Sequence, residues 1–289
     1  MSDDAFARHR RLLFTVAYEM LGSASDAEDV VQETWLRWAD VDHPAVRDPR
    51  AYLVRIVTRQ ALNRLRTLAR RREDYVGEWL PEPLVTSPDV AADVELAESL
   101  SIAMLTVLET LGPAERAVFV LREVFDTPYD EIADAVGKSP AAVRQIAHRA
   151  REHVAARRPR VSVSATEQQE ALDRFLAAVR DGDLQGLLDV LAPEVVIVAD
   201  GGGVVPAARR PVEGAERVAG LLIRGLRSVD FEAAAVWLNG SPAIRIDAGA
   251  AFNAAVSVAV EERRITRIYV VANPQKLARL DGVTALTRS

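Results

Sequence analysis

The sequence contains no cysteine, only four histidines, and 6% aromatic residues. Without thiols the 289-residue chain can form neither a disulfide nor a thiolate metal site, which fits a reducing compartment. No histidine follows His153, so histidine-based acid–base chemistry is excluded from the second half. No stretch approaches the eighteen or more apolar residues that span a bilayer. Glu19 interrupts the short apolar run Leu12–Tyr18 behind the basic start "RHRR", which argues against a secretory signal. These absences predict a cytoplasmic protein that does not engage a membrane. No metal cluster or cofactor motif is legible. The run Gly201, Gly202, Gly203 forms neither a P-loop nor a dinucleotide fingerprint, and fits a tight loop at a pocket rim or an interface.

Net positive charge is also lacking, since the formal charge is -6. Basic charge is instead local. Residues 52–72 hold seven Arg and no acid, and residues 138–160 hold six Arg and one Lys against the single Glu152. Such blocks set the surface potential within a Debye length of about 8–10 Å, so an acidic protein can still hold a polyanion locally.

What is present is helical first and mixed later. Periodicity predicts helices near 4–21, 26–39, 48–72, 91–111, 113–125, 128–136 and 140–156. The proline-punctuated stretch "RRREDYVGEWLPEPLVTSPDV" reads as a linker between two helical units. A second break falls at "RRPRVSVSAT". Beyond it come helices near 166–180, 183–191 and 213–227 and several strand-like runs joined by short turns such as "LNGSPA", which suggests an antiparallel α+β domain. The expected units are residues 1–72, a linker over 73–95, residues 96–158, and residues 166–282.

The stretch "TPYDEIADAVGKSPAAVRQIAHRARE" carries two helix starts, with Thr127 and Ser139 as caps before Pro128 and Pro140, and Gly137 ending the first helix. On the second helix Val143, Ile146, Ala147, Ala150 and Val154 share one arc. Arg144, Gln145, His148, Arg149 and Arg151 share the other. One face packs and the other offers guanidinium forks and an amide suited to a major groove. Upstream, "SDAEDVVQETWLRWAD" reads as a helix capped by Ser25 with Glu28 completing a capping box. Val31, Trp35 and Trp38 form its buried stripe, and Asp29, Gln32 and Glu33 point outward. Arg55, Arg59 and Arg66 share a face of the next long helix, with Asn63 beside them, which suits phosphate and base contacts.

The succession "DAEDVVQETWLRW", "DPRAYLVRIVTRQALNRLR" and "LGPAERAVFVLREVFDTPYDEIADAVGKSPAAVRQIAHRARE" closely resembles the two helical domains of extracytoplasmic-function sigma factors of bacterial RNA polymerase. The resemblance implies that Asp29, Gln32 and Glu33 contact core RNA polymerase. It further implies that the helix of Arg55, Arg59, Asn63 and Arg66 opens the minus-ten element of promoter DNA, and that the helix of Arg144, Gln145, His148, Arg149 and Arg151 reads the minus-thirty-five element.

Residues 166–280 resemble the SnoaL-like domains, whose fold is a curved sheet closed by helices over a pocket. The expected architecture is thus multidomain, with two all-α sigma domains, the second carrying the helix-turn-helix, followed by an α+β SnoaL-like cone. Sigma factors fused to such a domain form a subgroup, and three stretches look like its marks: "YVGEWLPEP", "DGGG" and "NPQKL". They carry over Tyr75, Trp79, Leu80, Pro81, Glu82, Pro83, Asp200, Gly201, Gly202, Gly203, Asn273, Pro274 and Lys276 as interdomain or regulatory residues. A basic residue commonly follows the glycines in that subgroup, whereas Val204 stands here. A proline-framed Trp79 predicts a linker docked on the appended domain, fixing the spacing of the two DNA-binding units. The leading expectation is a non-enzymatic promoter-recognition subunit regulated in cis, with a small molecule or protein as ligand of the last domain. The alternatives are a cyclase or isomerase fused to a DNA-binding controller, and a ligand-sensing one-component regulator.

Overall fold

The structure is a computed structural model that describes residues 2–73, 75–157, 163–227, 229–249 and 251–288. Of the break expected around residues 157–166, residues 158–162 lie outside the described residues. Helices α1 (Ser2–Leu21), α2 (Ala24–Ala39) and α3 (Pro49–Glu73) form the first unit. The linker runs in irregular backbone to α4 (Val94–Leu100), α5 (Ile102–Leu108) and α6 (Pro113–Phe119), then α7 (Tyr129–Val136) and α8 (Pro140–Ala155). The single helix expected over 91–111 is therefore broken. Ser101 leaves helical geometry and its hydroxyl caps α5 by accepting from the Met104 amide.

The two helical units share one apolar core, in which Leu13, Val16 and Val57 join Leu105, Val118 and Ile132. At this boundary Arg116 is only 1% exposed and donates to the Glu19 carbonyl and to the Glu109 carboxylate. The Glu19 side chain, fully buried, accepts from the Ser99 hydroxyl. Burial pushes that carboxyl up to about 7, against the Ser99 hydrogen bond and the nearby Arg116 and Arg288.

The last unit contains α9 (Ala165–Asp181), α10 (Leu184–Val190), α11 (Ala215–Leu226), the short α12 (Pro274–Leu277) and six strands: β1 (Leu191–Asp200), β2 (Val212–Glu213), β3 (Glu232–Leu238), β4 (Ser241–Asp247), β5 (Asn253–Glu261) and β6 (Arg264–Val271). They form one sheet in the order β2-β1-β6-β5-β4-β3. The sheet is mixed where the turns suggested a purely antiparallel one: β1 pairs with β6 in parallel. Local turns specify hairpins, but the pairing of β1 with β6 is long-range and leaves no mark in either segment.

Both faces of the sheet are covered, which explains why its strands read as near-continuous apolar runs. Alternation assigns the faces. Ile197, Ile244, Val256 and Ile268 face the helices α9–α11, while Val198, Ala243, Ala255 and Tyr269 face the opposite way, against Leu80 of the linker and Ile102 of α5.

Candidate nucleic-acid interface and interdomain clasp

On α8 the buried residues are Val143, Ile146, Ala147, Ala150 and Val154. Arg144, Gln145, His148, Arg149 and Arg151 are all exposed. Gly137 ends α7 at φ +68° and the Ser139 hydroxyl accepts from the Ala142 amide, so the turn between the helices is specified by its own residues. Two weak surface pairs touch the exposed face, His148 with Glu152 at 3.5 Å and Arg151 with Glu123 at 3.4 Å. The start of α7 differs from expectation. Thr127 is buried and its amide donates to the Leu121 carbonyl, so Pro128 occupies the cap position and no side chain caps it.

On α3 the candidate residues have other engagements. Arg59 donates to the Asp134 carbonyl at 2.6 Å and to that of Ala135, both on α7. Arg55 lies 4.9 Å over the Tyr52 ring, and Arg66 donates to the Asn63 side chain. On α2, Gln32 and Glu33 are exposed, while Asp29 pairs with Arg64 at 2.5 Å. Trp35 is 40% exposed and does not join the stripe of Val31 and Trp38. The buried arc is centred on Ala27 and Thr34, small enough for close approach of α1 and α3, and that leaves Trp35 at its rim.

The capping of α2 also departs from the sequence pattern. Its cap is Ser23 rather than Ser25. A carboxylate from the linker completes it: Glu82 Oε2 accepts from the Ala24 amide at 2.8 Å and more weakly from that of Ser25. A negative group at a helix N-terminus meets both unpaired donors and the positive end of the dipole. Burial raises the Glu82 carboxyl above the usual carboxylate range, opposed by those two amides.

The linker is held on its other side by Asp200, which is 0% exposed. Its carboxylate accepts from the Tyr75 hydroxyl at 2.6 Å, the Leu80 amide at 2.9 Å, the Gly202 amide at 3.0 Å and Lys276 Nζ at 2.6 Å. Lys276 also donates to the Leu80 carbonyl and lies 4.0 Å over the Trp79 ring. Lys276 thus sets a positive charge against the Asp200 carboxylate at the start of the glycine loop, while Val204 is 67% exposed. Asn273 caps α12 and donates to the Tyr75 hydroxyl at 2.8 Å. Pro274 occupies the first turn of that helix. Burial and the Asp200 carboxylate raise the Tyr75 hydroxyl. Gly203, at φ +72°, abuts Val76: a Cβ there would sit 3.1 Å from the valine. Gly201 is buried within the same turn, where its carbonyl accepts from the Val204 and Val205 amides. Pro81 and Pro83 are buried beside Leu80 and Glu82.

One residue of this junction is not marked by the sequence pattern. In the sequence Asn239 reads only as part of a hairpin turn, and Asn–Gly at φ +54° and +75° does form one. Its buried side chain also accepts from the Leu84 amide and donates to the Tyr18 hydroxyl, which in turn donates to the Glu82 carbonyl. One asparagine thus joins the first unit, the linker and the sheet. The only sequence signal was the Asn–Gly pair itself.

Behind the sheet lies a cavity of about 240 Å³ between α9, α11 and the strands. Every lining residue is aliphatic, aromatic or glycine, among them Phe175, Leu222, Phe231 and Val256. No described helix is long and apolar enough to cross a membrane.

An acidic-faced helix and a basic helix, a helix-turn-helix on a second unit, and a linker between them define a sigma-70-type promoter-recognition protein. Sigma-70 region 2 matches residues 5–71 and Sigma-70, region 4 matches residues 101–154. The ECF RNA polymerase sigma factor SigJ of Mycobacterium tuberculosis is 42% identical over 222 residues, 75% of this chain and 71% of that protein. The probable ECF RNA polymerase sigma factor SigI of the same species is 34% identical over 277 residues, 94% of this chain and 93% of its own. The crystal structure of M. tuberculosis SigJ superposes with a TM-score of 0.77 at 32% identity, covering 96% of this chain and 99% of that one. The chain belongs to the extracytoplasmic-function RNA polymerase sigma factors, and it carries an α+β SnoaL-like domain after its region 4.

Proposed function

We propose that the chain works in the cytoplasm as the promoter-recognition subunit of core RNA polymerase, and that its SnoaL-like domain restrains it in cis. In this reading Asp29, Gln32 and Glu33 dock on the polymerase, Arg55, Arg59, Asn63 and Arg66 engage the minus-ten element, and α8 reads the minus-thirty-five element. Asp200, Lys276 and Asn273 grip Tyr75 and Leu80, while Asn239 reaches Tyr18 of region 2 and the sheet packs on Ile102 of region 4. The domain therefore staples both regions to one linker path.

The observation that carries the reading is Arg59, which is spent on α7 carbonyls while α8 offers an open basic face. Arg59 itself stays exposed, so the packed arrangement occupies its guanidinium rather than covering it, and in this reading polymerase binding frees Arg59 from α7. Asp200→Ala should raise transcription from a cognate promoter several-fold at limiting core polymerase. Unchanged output from the purified full-length variant would remove the regulatory part of the reading.

An enzymatic role is disfavoured by the chemistry of the last domain. The Asp200 carboxylate is saturated by four donors, and the cavity offers no titratable side chain among the described residues.

A further inference from the structure

The cavity and the linker lie on opposite faces of the same strand ends. On β1, Ala199 lines the cavity and Asp200 grips the linker. After β6, Ala272 lines the cavity and Asn273 meets Tyr75. The two readouts therefore alternate along the chain, one residue apart, as the two faces of a sheet must.

The loop leaving β1 connects them more directly. Its middle, Val205 to Ala208, forms a wall of the cavity. Its ends touch the linker: Gly203 abuts Val76, and Arg209 backs Gly77, whose Cβ position is 3.9 Å from the arginine Cα. Gly202 completes the Asp200 turn at φ +63°, and a side chain there would collide with Asn273. A body pressing Val205–Ala208 outward acts within one or two residues of the two points at which this loop bears on the linker.

From this geometry we infer that the cavity is a regulatory site for an uncharged, hydrocarbon-like small molecule, and that filling it loosens the clasp of Asp200 on the linker. The lining fixes the ligand class. A charged or strongly hydrogen-bonding group would lose water and meet no polar side chain on any wall, a cost of several kcal/mol, whereas apolar surface gains by burial. A cavity of about 150 Å³ lined in this way holds benzene, so about 240 Å³ accommodates a ligand of roughly ten carbon atoms. Loss of the Asp200 contacts then propagates to Leu80, Tyr75 and Lys276, which share that carboxylate. The consequence for transcription rests on the cis-restraint reading; the binding and its effect on the clasp do not, since both are measured without polymerase.

The test uses the full-length protein with naphthalene as probe and naphthalene sulfonate as its charged counterpart. Naphthalene should bind saturably, by its own fluorescence, and the sulfonate at least tenfold more weakly. At saturation, amide exchange at Leu80 and Gly202, whose N–H groups donate to Asp200, should quicken about tenfold. Two variants fill the cavity from different sides, Ala254→Phe on β5 and Leu222→Trp on α11, so that one misfolded variant does not end the test. The folded variants, checked by circular dichroism, should lose naphthalene binding. Four results would overturn the inference: no saturable binding, equal binding of the sulfonate, binding that survives both variants, or exchange at Leu80 that stays unchanged or slows. Probe binding that disappears as protein concentration rises would assign the cavity to a second copy of the chain and would overturn it as well.

Discussion

α3 and α8 are built from similar material, yet they meet the rest of the molecule differently. Each presents arginines and an amide along one face. Arg59, Asn63 and Arg66 on α3 are exposed like the residues of α8, but on α3 the guanidinium of the central Arg59 is committed to the carbonyls of α7. Basic composition thus identifies a surface able to hold nucleic acid, but packing decides which of its donors are already spent. Region 2, region 4 and the linker share a common third support in the sheet of the last domain.

Removing that support is the harshest way to break the comparison. Asp200→Ala leaves Lys276 largely buried without its carboxylate, and removing one partner of a buried pair typically costs about 3–5 kcal/mol. Denaturant unfolding of the full chain should show a loss of that size, and Asp200→Asn with Lys276→Met should recover part of it.

Glu19 gives a pH handle on the packing of region 2 against region 4. Its folded-state value of about 7 lies above the ordinary 4.5, so the folded state binds the proton more tightly than the unfolded chain. The contribution is fully present below about 4.5 and is lost as pH rises through 7. The displacement corresponds to about 3 kcal/mol. Unfolding free energy should therefore fall by that order between pH 5 and 8, and Glu19→Gln should flatten the dependence while Arg116, Ser99 and Arg288 stay in place.

Arg144→Ala sharpens the comparison from the α8 side. A side chain bidentate to guanine should cost about 1–3 kcal/mol and relax preference at one base pair. A uniform loss across promoters, with a shallower salt dependence, reassigns it to phosphate. The smallest effect belongs to Glu82→Ala, which removes the linker's cap from α2 and should lower stability by about 1 kcal/mol without changing DNA specificity.

How much of this was legible follows from how local each feature is. The two faces of α8, the Gly137 turn and the Ser139 cap are set within a few residues, and the pattern alone gives them. The cap of α2 depends on Glu82, 58 residues from Ala24 in sequence, so a plausible local box at Ser25 stood in for it. Trp35 fell inside an idealised helical arc but outside the arc that α1 and α3 cover. The parallel pairing of β1 with β6 and the reach of Asn239 to Tyr18 join segments far apart in sequence. Asp200 is intermediate: sequence similarity marked the "DGGG" run, but its burial and its four donors belong to the fold. The same holds for the break at Ser101, where two caps replace one continuous helix.

The absence of native thiols permits the most direct test of whether the last domain holds the basic helices α3 and α8 together. Spin labels on cysteines introduced by Thr67→Cys on α3 and Ala141→Cys on α8, both exposed positions, report the separation of those helices by pulsed dipolar spectroscopy. The wild-type background should give one narrow, short distance, and the Asp200→Ala background a broad distribution reaching longer distances. Identical narrow distributions in the two backgrounds would contradict the account.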